Sequence, residues 1–159
     1  MKQEELEILD RFDTVWQRVM GESPTRSAPK VSESDEMWLE QLMEETLQCW
    51  REGMALAQRM QGEQAGQLMT LAAVARRQFR QMQVEYFLKT GDTYPADRPV
   101  PRPSGILTGM RQLYLRELAL AKSFAYVGQR EGEMYRNFGI QAQDCAQCLR
   151  QMIAALLLQ

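Results

Sequence analysis

The chain has 159 residues, 45% of them hydrophobic and 25% charged, with a formal net charge of −2. That length suits one domain with a real core, because a chain of about 150 residues buries roughly two-thirds of its unfolded surface. No run of about 18 apolar residues exists to span a membrane, and the basic cluster Arg76, Arg77 and Arg80 is too small, and lacks the neighbouring groove-reading motif, to argue for nucleic acid.

Charge is unevenly spread. Residues 1–45 hold 12 acidic and 5 basic side chains, net −7, and residues 46–159 hold 9 acidic and 14 basic, net +5. An acidic front end either solvates an arm or lies across the basic remainder. The start, Met1 to Glu5, has no apolar stretch of signal-peptide type, and the three cysteines are an odd number. Both point to a reducing, cytoplasmic setting rather than a disulfide framework.

In chain order, residues 3–20 predict a short amphipathic helix, with Leu6, Leu9, Phe12, Val15, Trp16 and Val19 on one side. Gly21 ends it, and residues 22–31, with Pro24 and Pro29, form a linker. Ser34 is placed as an N-cap with Asp35 and Glu36 in the first turn, so residues 1–33 precede a bundle over residues 34–159. Four long helical patterns follow, over about 35–61, 65–89, 104–128 and 132–158. Their seams read Leu39, Leu42, Thr46, Cys49, Gly53, Leu56 and Met60; then Leu68, Leu71, Ala75, Gln78, Met82 and Glu85; then Ile106, Met110, Leu113, Glu117, Leu120, Phe124 and Val127; then Met134, Phe138, Gln141, Cys145, Cys148, Met152 and Ala155. All keep the three-four spacing of a helix and none alternates as a strand does, so the fold class is all-α.

Connections set the expected topology. The first pair is joined around Gly62–Gly66 and the last around Gly128–Gly132, links short enough to require antiparallel neighbours. Between the pairs, Thr90 to Pro103 contains Pro95, Pro99, Pro101 and Pro103 and stays extended. At about 3.3 Å per residue it reaches ~45 Å, more than the ~38 Å of a 25-residue helix. A four-helix bundle with one long crossover between its second and third helices is the arrangement of ferritin-like folds.

Glu117 is the odd member of these seams, a carboxylate in an apolar row. Such a charge is costly to bury unless it is partnered or serves a metal or a proton. The stretch around it, YLRELALAKSFAYVG (114–128), together with IQAQDCAQCLRQM (140–152) and VARRQFRQMQVEYFLKTGDTYP (74–95), resembles the ferritin-like superfamily, particularly small bacterial rubrerythrin-like proteins. The resemblance implies six di-iron ligand places, which fall here on Thr46, Gln78, Gln81, Glu117, Cys145 and Cys148. Such a site needs a Glu from each of two helices and a Glu-x-x-His from each of the others. Only Glu117 keeps its type, and the chain has no histidine at all. The family's oxidase or peroxidase activity is therefore not expected, nor is a cofactor. The expectation is a non-catalytic structural or interaction protein with a degenerate metal site.

The alternative is a metal-binding or redox protein. Cys49, Cys145 and Cys148 with Glu117 form a Cys₃Glu candidate for zinc or iron, set against their packing as small buried hydrophobes. A carboxylate set of Glu45, Glu85, Glu117 and Asp144 is a third candidate, for a hard divalent ion. For Glu117 itself, Thr46, Gln78, Gln81 and Tyr114 are the expected donors. The apolar tail Met152–Leu158 and the aromatics Phe12, Trp16 and Trp38 exceed one seam, which predicts either packing of the N-terminal helix on the bundle or a homodimer. No particular protein partner is legible.

Overall fold

The computed structural model describes residues 37–97, 99, 102 and 105–159. The expected N-terminal helix, its linker and the Ser34 cap lie outside these. Among the described residues there are four helices and no strand: α1 (Met37–Gln58), α2 (Gly62–Thr90), α3 (Ile106–Glu131) and α4 (Glu133–Leu157). None is long and apolar enough to cross a membrane.

The helices pack as two hairpins, α1 on α2 and α3 on α4, which meet through α1 against α3 and, more thinly, α2 against α4. Side-chain contacts fix the directions. The Trp38 and Tyr135 rings stand 5.4 Å apart, Tyr86 donates its hydroxyl to Glu40 at 3.0 Å, and Trp38 shares a groove with Val127 and Arg130. The starts of α1 and α4 and the ends of α2 and α3 therefore lie together. It follows that α2 and α3 run parallel, and the chain between them crosses from one end of the bundle to the other. Part of that course is marked by Tyr94, whose ring lies 6.1 Å from Phe79 and 5.5 Å from Tyr86. Further along, the Ala96 carbonyl accepts from Arg51 at 2.7 Å.

The turns are tighter than the sequence suggests. Only residues 59–61 separate α1 from α2, and only Gly132 separates α3 from α4. Gly132 has φ +115°, a backbone state that a side chain resists. Gly128, expected in this link, lies within α3 instead. A Cβ there would meet the Arg136 side chain and come within 2.8 Å of the Arg136 backbone nitrogen. Its missing side chain lets α3 and α4 approach closely at the turn.

Thr46, Cys49, Gln78, Met82, Met110, Leu113, Glu117, Leu120 and Phe124 are all buried, as their spacing predicts. The fourth seam is a correction. The buried line of α4 includes Tyr135, Phe138, Ala142, Cys145, Leu149 and Met152, while Met134, Gln141 and Cys148 are half-buried and Ala155 is exposed. The expected row follows the sulfur and amide side chains and so mixes the buried line with its flank.

Candidate functional site

Glu117 sits in the middle of α3 and is only 4% exposed. Its helix carries Leu113 and Leu120 one turn to either side, both buried, so the apolar row that packs α3 takes the carboxyl group inward with it. Burial raises its pKa to about 7, against a smaller lowering from a hydrogen bond with the Cys49 side chain. The Cys49 thiol is the donor in that bond while Glu117 is ionised. Burial first, and then the Glu117 charge, push the Cys49 thiol well above its ordinary value, and the nearby Arg116 guanidinium opposes the rise. Cys145 is also pushed up, again by burial first and the Glu117 charge second. Glu117 is thus bonded to a thiol of α1, and its charge reaches a thiol of α4.

The other expected ligand places are occupied with partners of their own. Thr46 donates its hydroxyl to the Leu42 carbonyl of its own helix at 2.6 Å. Gln78 donates its amide to Gln141 Oε1 at 3.0 Å and to the Phe138 carbonyl at 3.4 Å, joining α2 to α4. Neither donates to Glu117, contrary to the donor set read from the sequence. Gln81 is a further correction: it is exposed, because three residues beyond the buried Gln78 the helix has turned its side chain outward. Cys148 is half-buried on the flank of α4, and Tyr114 is half-buried on α3.

The donor chemistry does not fit a di-iron pair. One carboxylate, one back-bonded hydroxyl and one engaged amide leave two divalent ions far from neutralised, and there is no imidazole in the chain. Among the described residues, no three His, Cys, Asp or Glu side chains stand together so as to hold a metal ion. Cys49, which bonds Glu117, and Cys145, which feels its charge, do not make such a set, and Cys148 does not complete it. The carboxylate alternative is dispersed as well. Glu45 is half exposed on the surface and paired with Arg116 at 2.6 Å, Asp144 is exposed, and Glu85 is half-buried, where its charge acts on Tyr135.

A second polar assembly is not announced by the sequence pattern. Three guanidinium groups surround the Trp50 ring, those of Arg51, Arg80 and Arg76 at 4.9, 5.4 and 5.7 Å from its centroid. Arg76 and Arg80 are buried, leaving Arg77 as the exposed member of the basic cluster. Arg80 donates to Gln83 Oε1 at 2.7 Å, and Gln83 donates to the Tyr94 carbonyl at 2.7 Å. Tyr94 in turn donates its hydroxyl to Glu44 at 2.8 Å. These groups clamp the crossover to α1 and α2. Helical spacing puts Arg76 and Arg80 off the apolar seam; only the i, i+4 placement of two arginines hints at a shared partner.

Between α1 and α3, Arg116 bridges Glu45 at 2.6 Å and Glu52 at 3.0 Å. The charge beside Glu117 in sequence is therefore engaged by the neighbouring helix and does not neutralise it. No family model, curated protein or solved structure matches this chain.

Proposed function

We propose that this chain is a ferritin-like bundle of the rubrerythrin type in which separately partnered polar side chains stand where such proteins hold two metal ions, and that it serves as a non-catalytic structural or interaction protein. The observation that carries the reading is the partnering of the centre. Thr46 and Gln78 donate to groups other than Glu117, and Glu117 shares a hydrogen bond with the buried Cys49 thiol, whose pKa is pushed up. A buried thiol has to give up its proton before it can bind a metal, since metals bind the thiolate. The long crossover and the parallel course of α2 and α3 support the fold part of the proposal.

Metal analysis of protein purified without oxygen or chelators tests it. The expected result is iron and zinc far below one ion per chain, unchanged in Cys145→Ala. A stoichiometric ion that disappears in Cys145→Ala would overturn the proposal in favour of a soft-metal site at Cys49, Glu117 and Cys145.

A further inference from the structure

The groove between α1 and α3 has a volume of about 690 Å³ and opens at the end of the bundle where α1 begins. Trp38 and Leu42 contribute apolar surface from α1, and Ala119, Leu120 and Val127 from α3. The α3 wall is unusual for a solvent-facing helix. Tyr126 is 65% exposed and Leu115, three turns before it on the same flank, is 44% exposed. Between and beyond them stand exposed Lys122 and Arg130, the latter with its guanidinium 5.4 Å from the Tyr126 ring centroid. Of the facing carboxylates of α1, Glu45 is ion-paired with Arg116, and Glu44 accepts from the Tyr94 hydroxyl and keeps its charge. The groove therefore has an apolar floor, a basic α3 rim at Lys122 and Arg130, and the Glu44 carboxylate on its α1 side.

We infer that this groove is the seat of the chain's own N-terminal segment, residues 3–20. Position, length and charge agree. The 36 residues before Met37 join the bundle beside Trp38, at the groove mouth. Residues 21–36 can span up to ~50 Å when extended, so they reach any point of the groove. From Ala119 to Arg130 the α3 wall runs for only about 17 Å, within the ~27 Å of an 18-residue helix. The segment carries Leu6, Leu9, Phe12, Val15, Trp16 and Val19 at helical spacing, and five acidic residues (Glu4, Glu5, Glu7, Asp10, Asp13) against two basic ones (Arg11, Arg18). An apolar stripe with an acidic surround complements the apolar floor and, on the α3 side, the basic rim. The inference does not depend on the reading of the Glu117 centre.

Hydrogen–deuterium exchange on the full chain, diluted until sedimentation gives a monomer, tests it. Amides within residues 3–20 should exchange at least roughly tenfold more slowly than an unstructured chain. That slowing should vanish in Trp16→Asp and in Tyr126→Asp, with the amides of α4 unchanged as the sign of an intact bundle. If Tyr126→Asp disturbs α4, the exposed Lys122→Glu variant takes its place and should reduce the slowing. Unslowed exchange in the wild type would overturn the inference, as would slowing that persists when both the Tyr126 and Lys122 variants keep α4 intact. Slowing that appears only as concentration rises would also overturn it, assigning the groove to a second copy.

Discussion

Burial penalises the Glu117 anion more than the Cys49 thiol stabilises it, so the carboxyl takes up a proton more readily inside the bundle than in water. The folded chain therefore binds this proton more tightly than the unfolded chain. Its contribution to stability is fully present below the ordinary value of 4.5 and is lost as pH rises through about 7. At about 1.36 kcal/mol per unit, the loss amounts to roughly 3 kcal/mol. Glu117→Gln keeps the shape and removes the titration. Urea unfolding should show the variant gaining about 3 kcal/mol relative to wild type between about pH 4.5 and 8, and a difference that stays constant over this range would contradict the assignment. The three thiols should separate by environment. Cys49 and Cys145 are buried and pushed upward in pKa, so their reactive thiolate is scarce, whereas Cys148 is half-buried. A disulfide reagent at about pH 8 should label Cys148 first in the folded protein and all three only in denaturant. Rapid native labelling of Cys49 or Cys145 would show that the centre opens far more readily than its packing implies.

At the scale of elements, the crossover is held by aromatic packing and side-chain hydrogen bonds. Tyr94 is its anchor, with its ring beside Phe79 and Tyr86, its carbonyl taken by Gln83 and its hydroxyl given to Glu44. Tyr94→Ala should cost about 3–5 kcal/mol, as large aromatic truncations do. Tyr94→Phe, which leaves the ring and removes the bond to Glu44, should cost about 1–2 kcal/mol. Unfolding measurements that find Tyr94→Ala no worse than Tyr94→Phe would mean that the ring contributes nothing and the clamp is peripheral. The helices themselves are legible in the sequence because their apolar spacing is regular, and Glu117 is legible because it interrupts that regularity. Cys49 reads as inward, one turn from Thr46, but its partnership with Glu117 depends on the relative rotation of α1 and α3, which no local spacing encodes. Gln81 departs for a related reason: a ligand spacing taken from a family resemblance falls on a helix whose buried face does not include it. Gly128 looks like a turn because glycine is the usual helix breaker, yet here it serves close packing against Arg136. The Trp50 assembly is hidden because the crossover, remote in sequence from Trp50, helps turn Arg80 from a surface residue into a buried one.

For the molecule as a whole, the bundle is two tight hairpins joined across α1 and α3 by Arg116 and across α2 and α4 by Gln78. Glu117 is buried in α3, bonded to a thiol of α1 and acting through its charge on a thiol of α4. In the proposed reading, these contacts do the joining that two bridged metal ions do in proteins of rubrerythrin type. At the centre Glu117 is bonded to Cys49, while Thr46 and Gln78 take partners elsewhere. An anomalous difference map from crystals grown with ferrous iron or zinc reads this centre directly. No peak is expected within coordination distance, about 2.0–2.4 Å, of the Glu117 carboxylate or the Cys49 and Cys145 sulfurs. One or two ordered ions bound there would contradict the proposed reading.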